Sequence, residues 1–106
     1  MTKLEYSNAA MTDIERLVNF LMDVDLVAAL DTFDIIDDGL HLLKRHPEIG
    51  RIVGVEGKRE LVISRGNTGY IAIYTFDKLV NTVVVLAVKH QREGDLIDRY
   101  ERLSGG

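Results

Sequence analysis

The hydrophobic pattern of the chain changes its period at Pro47, and this change constrains the fold more than any other feature. Before Pro47, apolar residues recur every three or four positions, which is the spacing of an amphipathic helix. After Pro47, apolar and polar residues alternate, which is the spacing of a β-strand with one covered face. Helices followed by a run of strands predict an α+β fold, with the helices packed on one face of a mainly antiparallel sheet.

Two helices are predicted in the first half of the chain. The first begins with Thr12 as N-cap and Glu15 three residues later, the pattern of a capping box. The second runs from about Asp25 to Arg45, with either Asp23 or Asp25 as its cap. We expect this helical hairpin to dock on the sheet through one buried apolar seam, formed by Leu17, Leu21, Phe33, Ile36 and Leu40.

Extended segments precede and follow the helices. They are Lys3 to Tyr6, Gly50 to Val55, Arg59 to Ser64, Tyr70 to Phe76 and Thr82 to Lys89. The glycine-rich stretch Gly66 to Gly69 predicts a hairpin connection. Six consecutive apolar residues, Val83 to Val88, are typical of an interior strand that is covered on both faces.

The whole chain, residues 1–106, is therefore predicted to be a single α+β domain. A short N-terminal strand and the helical hairpin would cover one face of the sheet. A short C-terminal helix is expected from about Gly94, with its apolar stripe at Leu96, Ile97, Tyr100 and Leu103. The other sheet face would stay partly open, and we expect a partner to bind there.

Composition excludes several classes of protein. The absence of cysteine excludes a disulfide framework, a thiolate metal site and a cysteine nucleophile. No apolar run approaches the ~20 residues of a membrane span, and Met1 to Met11 lacks the apolar stretch of a signal peptide. The cytoplasm is therefore the expected location.

The net charge of −4 is unevenly distributed. Residues 1–50 carry a net charge of −6 and residues 51–106 a net charge of +2. An overall negative charge disfavours general nucleic-acid binding. The asymmetry indicates either a one-sided binding surface or helices that simply expose their carboxylates to solvent.

Three patterns that resemble catalytic or binding motifs have simpler explanations. Asp31, Asp34 and Asp38 align on one helical face, but no second motif completes a site for a hard cation, so a solvated face explains them. The glycine-rich stretch lacks the Gly-Lys-Ser/Thr ending of a phosphate loop. No serine has the flanking glycines of a nucleophile elbow. No metal or cofactor is predicted.

A cationic cluster is the remaining candidate site. Its basic residues lie on neighbouring strands or at their ends: Arg51, Lys58, Arg59, Arg65, Lys89, His90 and Arg92. Strand pairing can bring four of them onto one surface beside a tyrosine, namely Arg59, Arg65, His90 and Arg92 with Tyr70 or Tyr74. Such a group can hold a phosphodiester during cleavage or bind the acidic face of a partner protein. Charges that only protect strand edges would produce the same pattern.

Four short stretches, taken in order, resemble the ParE/RelE toxin superfamily. They are Pro47 to Arg51, Arg59 to Ile63, Gly69-Tyr70 with Tyr74, and Val88 to Glu93. The similarity spans nearly the whole chain and is closer to the ParE-like, plasmid stabilisation branch. It implies a growth-inhibiting toxin of a type II toxin–antitoxin pair. Its partner would be an antitoxin protein that wraps the toxin, and a homodimer is also compatible.

The resemblance implies one of two activities. RelE-like members cleave messenger RNA in the ribosome, whereas ParE-like members poison DNA gyrase. For cleavage, the resemblance implies Arg65, His90 and Arg92 as catalytic groups. For partner binding, it implies a wider set: Arg51, Arg59, Arg65, Tyr70, Lys89, His90 and Arg92.

Charge favours the second activity. Ribosome-acting toxins tend to be strongly basic because RNA is a polyanion, and this chain carries −4. The preferred interpretation is therefore a ParE-like toxin that inhibits gyrase by protein–protein contact. A RelE-like endoribonuclease and a non-toxic antitoxin-binding member are the alternatives.

Overall fold

The computed structural model describes residues 1–54, 56–66 and 68–91. The elements in this part of the chain are β1 (Lys3–Tyr6), α1 (Asn8–Met22), α2 (Leu26–His41), a 3-10 helix (Leu42–Lys44), β2 (Arg51–Val53), β3 (Lys58–Arg65), β4 (Thr68–Asp77) and β5 (Thr82–His90). The helix expected from Gly94 lies outside the described residues.

The five strands form one sheet in the order β1-β5-β4-β3-β2. β2 to β5 pair with their neighbours in antiparallel fashion, whereas β1 is parallel to β5, with Tyr6 opposite Val85. The helical hairpin follows β1 and covers one face of the sheet, mainly through contacts of α1 with β5 and of α2 with β3. The α+β class and the mainly antiparallel sheet are confirmed.

The first helix begins five residues earlier than the capping box at Thr12 predicts. Ser7 is the N-cap, and its hydroxyl accepts a hydrogen bond from the Ala10 amide at 3.0 Å. The same hydroxyl donates to the Leu86 carbonyl at 3.1 Å, while the Ser7 amide donates to the Val85 carbonyl at 2.9 Å. The assignment of Thr12 was wrong because Ser7 is fixed by β5, and helix formation starts where the strand pairing ends.

The second helix begins where the sequence predicts, but the α-helix ends at His41 rather than near Arg45, and a 3-10 helix continues to Lys44. The Asp25 carboxylate accepts a hydrogen bond from the Ala28 amide at 3.1 Å, so Asp25 is the cap. Gly39 permits the tightest contact of α2 with the sheet, since a Cβ there would lie 2.7 Å from a side-chain carbon of Ile63. A larger residue at this position would push α2 away from β3.

The core lies between the hairpin and the sheet, and the expected seam is only partly correct. Ile36 and Leu40 are fully buried against strand residues such as Ile63 and Val85. Leu17 packs against this core, but Phe33 is 47% exposed. The buried face of α2 is centred on Ala29, Thr32 and Ile36, which turns the Phe33 ring to the flank beside α1.

The apolar run Val83 to Val88 forms an interior strand, as predicted, but only one of its faces is fully covered. Val83, Val85 and Val88 are buried beneath the helices, and the residues between them are half-buried. A bulge sets this uneven spacing, because Ile73 pairs with Ala87 and Tyr74 with Val85, which leaves Leu86 as an extra residue.

Candidate functional site

Arg59 lies near the start of β3, and its guanidinium holds the loop that leads into β2. Nη1 donates to the carbonyl oxygens of Glu48 at 2.9 Å and Gly50 at 2.8 Å. Nη2 lies 3.7 Å from the Glu48 carboxylate, and the Arg59 side chain is only 19% exposed. These contacts compensate the charge of Arg59, and they show that its role is to fix the loop before β2.

Tyr74 holds the same loop from the core side. Its hydroxyl accepts a hydrogen bond from the Gly50 amide at 2.8 Å, and a Cβ at position 50 would lie 2.6 Å from that hydroxyl oxygen. Burial raises the pKa of Tyr74; the Gly50 amide and Arg59 act in the opposite direction, and Glu48 adds to the rise. The phenol therefore stays neutral, and its oxygen is engaged by the Gly50 amide.

Arg51 and Lys58 form exposed ion pairs next to Arg59. Arg51 lies opposite Glu60 in the ladder, and their charged groups are 3.1 Å apart. Lys58 lies 3.5 Å from the Glu56 carboxylate. Pairs of this kind add little to stability, but they cancel the positive charge that a phosphate would need.

A second group of residues meets at the opposite end of the sheet. Arg65, the last residue of β3, lies 3.6 Å from the Asp38 carboxylate on α2. Tyr70 donates its hydroxyl hydrogen to Thr32 at 3.1 Å in the interior. The His90 ring meets the Tyr70 ring edge-on, with centroids 5.3 Å apart.

Lys89 precedes His90 and lies on the other face of β5, where its side chain is exposed. It forms no ion pair with any residue that the structure describes. Arg92, which the sequence places in the same site, lies outside the described residues. We call Arg65, Tyr70, Lys89 and His90 the sheet-end group.

The structure divides the predicted cationic cluster in two. Arg59 and Arg65 do share one face of β3, as alternation predicts, but they sit near its opposite ends. Six residues of strand separate them by roughly 20 Å. Arg51, Lys58 and Arg59 therefore belong to one end of the sheet and the sheet-end group to the other. The functional role of either set stays a prediction.

The sheet-end group can offer charge to a partner more readily than it can offer acid–base chemistry. Arg65 is 57% exposed at its side chain on the helical side of the sheet, and Lys89 is exposed on the opposite face, so each can reach an acidic surface. The Tyr70 hydroxyl is buried and bonded to Thr32, so it does not face a substrate. Binding of an acidic partner requires only exposed cations, which Arg65 and Lys89 provide.

Sequence reasoning missed a groove between α1 and α2. This hairpin groove has a volume of about 280 Å³, and its lining includes Tyr6, Met11, Ile14, Glu15, Phe33 and Asp37. Burial raises the pKa of Tyr6, and the Asp37 carboxylate adds to the rise. The sequence does show apolar residues repeating beside carboxylates on both helices, but this pattern was interpreted as a solvent-exposed helix face.

Neither a metal site nor a membrane-spanning helix is found among the residues that the structure describes. No three His, Asp or Glu side chains among them converge to hold a metal ion. No helix among them is long and apolar enough to cross a membrane.

Comparison with known protein families gives a match that covers most of the chain. The model of the family described as "ParE toxin of type II toxin-antitoxin system, parDE" matches residues 4–94. The search of curated proteins found no match.

Solved structures of toxin–antitoxin proteins share the fold. The chromosomal ParDE system from P. aeruginosa superposes with a TM-score of 0.69 at 18% identity, covering 85% of this chain and 96% of that one. The RelBE2 complex from Mycobacterium tuberculosis gives a TM-score of 0.56 at 24% identity, covering 85% and 98%. The isolated E. coli RelE toxin gives 0.61 at 15% identity, covering 94% and 99%. At these identities the similarity establishes the fold alone.

Proposed function

Because this chain belongs to the ParE toxin family of type II toxin–antitoxin systems, we propose that it inhibits DNA gyrase by protein–protein contact and is neutralised by a cognate antitoxin protein. The observation that carries the choice of target is the pairing of the sheet cations. Arg51, Arg59 and Arg65 each lie within 4 Å of a carboxylate. RNA binding draws its affinity from many cations that neutralise phosphates together, and these three are engaged within the fold. The pair of Arg65 with Asp38 is exposed on both sides, so a single carboxylate of a partner protein can replace Asp38.

The contact with the target is assigned to the sheet-end group. Arg65 and Lys89 are exposed there, and Arg92 follows closely in the sequence. Arg51 and Arg59, which the sequence analysis included among the partner-binding residues, hold the other end of the sheet instead. An acidic surface of the target would replace Asp38 as the partner of Arg65.

The antitoxin is proposed to cover the sheet face opposite the helices. That face carries half-buried Ile71 and Ile73 on β4 and the exposed Val62 on β3. Exposed apolar strands recruit partners, and an antitoxin segment can add a strand at an edge or lie across such a face. The RelBE2 structure from Mycobacterium tuberculosis, which has the same fold, is a toxin–antitoxin complex, which supports this kind of partner.

A ribosome-dependent endoribonuclease is the second candidate. The observation in its favour is that Arg65 and His90 are brought to the same end of the sheet, where a guanidinium and an imidazole could act on one phosphodiester. The two candidates differ in the process that stops first when the toxin is expressed: DNA supercoiling by gyrase or translation.

The deciding experiment combines induced expression with purified enzyme. We expect filamentation and an SOS response in bacterial cells, and loss of plasmid supercoiling when the purified chain is added to gyrase. The Arg65→Ala/Arg92→Ala double variant should lose both effects while retaining its melting temperature. Arg45→Ala is the matched control, because Arg45 is an exposed cation outside the sheet-end group, and it should keep full toxicity.

Other outcomes would reassign the function. Immediate arrest of translation with cut messenger RNA and active gyrase would support the endoribonuclease. Stable capture of the antitoxin without any growth inhibition would indicate a member that no longer poisons a target. Full toxicity of a folded Arg65→Ala/Arg92→Ala variant would remove the sheet-end group from either mechanism.

A further inference from the structure

The turn between β4 and β5 presents two apolar side chains to solvent. Leu79 is 97% exposed and Val80 is 63% exposed, whereas most apolar side chains of the sheet are buried or half-buried. A side chain as exposed as Leu79 stands out from the surface, so this turn forms a protruding apex rather than a groove. Single exposed apolar residues are ordinary, and what gives this pair significance is the charge that surrounds it.

Hydrogen bonds hold the turn in one conformation. The Asp77 carboxylate accepts a hydrogen bond from the Leu79 amide at 2.9 Å. Asn81 adopts a positive φ of 49°, and its side-chain oxygen accepts a hydrogen bond from the Thr2 hydroxyl at 2.9 Å. These contacts fix the backbone on both sides of the apex, so Leu79 is held outward.

Basic residues from three segments meet around the turn. The Thr2 amide donates to the Lys44 carbonyl at 3.3 Å, and the Lys3 amide donates to the Asn81 carbonyl at 2.9 Å. The N-terminal residues therefore lie between the end of the 3-10 helix and the turn. We call residues 1–3, 44–46 and 77–81 the turn pole. Its four basic residues against one acidic residue give a net charge of +3, from Lys3, Lys44, Arg45, Lys78 and Asp77.

Most of this positive charge is not compensated within the fold. Lys3, Lys44 and Arg45 form no ion pair with any residue in the described ranges of the chain. Lys78 lies 3.3 Å from the Glu48 carboxylate, and its side chain is exposed. The turn pole thus presents available cations around an apolar apex.

The acidic helical hairpin extends away from the turn pole. The Ser7 amide, at the start of α1, donates to the Val85 carbonyl, and the Asp13 carboxylate accepts from the Val88 amide, so α1 runs in the direction of β5. Six residues of strand place Val88 roughly 20 Å from the start of β5 at the turn pole, and the turn between the helices is further still. Salt screens exposed charges beyond about 8–10 Å. The turn pole therefore acts as a positive surface although the chain carries −4.

An apolar apex among cations is complementary to an anionic lipid surface. Nucleic-acid phosphates would pair with the cations but would leave Leu79 in water. A protein partner would need a pocket shaped to receive the apex and carboxylates placed around that pocket. A bilayer needs no matching shape, because its headgroups carry the negative charge and the boundary of the acyl chains lies directly beneath them.

We propose that the turn pole binds anionic phospholipid membranes reversibly. Leu79 and Val80 insert between the headgroups, and Lys3, Lys44 and Arg45 pair with lipid phosphates. The sheet-end group lies at the opposite end of β4 and β5, so it remains free to contact a target while the turn pole is on the membrane. The proposal is independent of whether that target is gyrase or messenger RNA.

The test measures co-sedimentation of the purified full chain with phospholipid vesicles. Vesicles of phosphatidylcholine and phosphatidylglycerol in equal parts should bind the chain at least about tenfold more strongly than vesicles of phosphatidylcholine alone. Binding should weaken as salt is raised. Because the chain has no tryptophan, the fluorescence of Leu79→Trp reports insertion directly. Its emission should move to shorter wavelength on the mixed vesicles, whereas that of Val27→Trp, at an exposed position of the hairpin, should not.

Two matched pairs of variants locate the binding. Arg45→Glu should weaken binding to the mixed vesicles by about tenfold. Arg16→Glu makes the same change in net charge on α1, and it should weaken binding by less than about twofold because it lies beyond the screening distance from the turn pole. Leu79→Ala should weaken binding by about fivefold, and Val27→Ala should leave it unchanged. Circular dichroism confirms that each variant is folded.

Three results would overturn the proposal. Equal weakening by Arg45→Glu and Arg16→Glu would mean that the vesicles respond to net charge alone. An unshifted emission of Leu79→Trp on vesicles that do bind the chain would mean that the turn stays outside the membrane. A shift that appears with purified gyrase and not with vesicles would make the turn pole a contact for a protein.

Discussion

The arginines of the sheet and two carboxylates of the helical hairpin differ in how this fold pairs them. Arg51, Arg59 and Arg65 each lie near a carboxylate, at 3.1, 3.7 and 3.6 Å. In the hairpin, Glu15 and Asp34 have no cationic partner within residues 1–54, 56–66 and 68–91. The difference teaches that the number of charges on a surface does not show how many of them are engaged within the fold.

The first way to sharpen this comparison is to remove the most deeply engaged cation. Arg59→Ala should lower the free energy of unfolding by about 3 kcal/mol, because two hydrogen bonds from a charged donor to the loop carbonyls are lost. Arg51→Ala is the control, since its pair with Glu60 is exposed and should contribute at most about 1 kcal/mol. Urea denaturation measures both, and equal effects would contradict the structural role of Arg59.

The loop held by Arg59 can also be released from the core side. Tyr74→Phe leaves the buried Gly50 amide without an acceptor and should cost about 2 kcal/mol at neutral pH. The pKa of Tyr74 is raised in the folded chain, mainly by burial. The folded protein therefore retains a proton that the unfolded chain releases above pH ~10, so stability falls as the pH rises through the folded pKa.

The variant tests that pH dependence directly. Unfolding curves between pH 8 and pH 11 should show a steeper alkaline loss of stability in the parent than in Tyr74→Phe, while Tyr6 contributes to both. Parallel pH profiles would show that the Tyr74 phenol does not resist ionisation in the folded state.

Local patterns predicted those features that depend on neighbouring residues alone. The alternation after Pro47 is seen in β3, where Leu61 and Ile63 are buried and Val62 between them is exposed. Asp25 was one of two candidate caps in the sequence, and its hydrogen bond to Ala28 is a local contact of three residues. The period change at Pro47 was enough to predict the fold class.

Contacts between distant parts of the chain could not be predicted in this way. Ser7 displaced Thr12 as the helix cap because its hydroxyl binds Leu86, 79 positions later. Arg59 looked like a site residue because its partners are carbonyl groups of a loop, which have no side-chain signature. The exposure of Phe33 depended on the rotation of α2 over the sheet.

Phe33 provides the next test, because it lines the hairpin groove and is too exposed to belong to the core. Phe33→Ala should cost only about 1 kcal/mol, since roughly half of the ring already contacts water. Leu40→Ala, which truncates a fully buried side chain, should cost about 2–5 kcal/mol. Thermal unfolding of the two variants measures both losses of stability. A loss of about 3 kcal/mol or more for Phe33→Ala, as expected for a core aromatic, would mean that Phe33 is buried after all.

The smallest expected effect concerns the unpaired carboxylates of α2. Asp34 has Asp31 and Asp37 three residues away on either side and Asp38 four residues further on. Like charges at these spacings repel by a few tenths of a kcal/mol each. Asp34→Lys should therefore raise the free energy of unfolding by about 0.5 kcal/mol at low salt, and Asp34→Asn should give about half of this gain. The gain should vanish near 1 M salt, where screening shortens the range of the interaction to about 3 Å. A stabilisation that persists at high salt would mean that helix propensity, rather than charge repulsion, limits the hairpin, and the contrast between paired cations and unpaired carboxylates would lose its energetic basis.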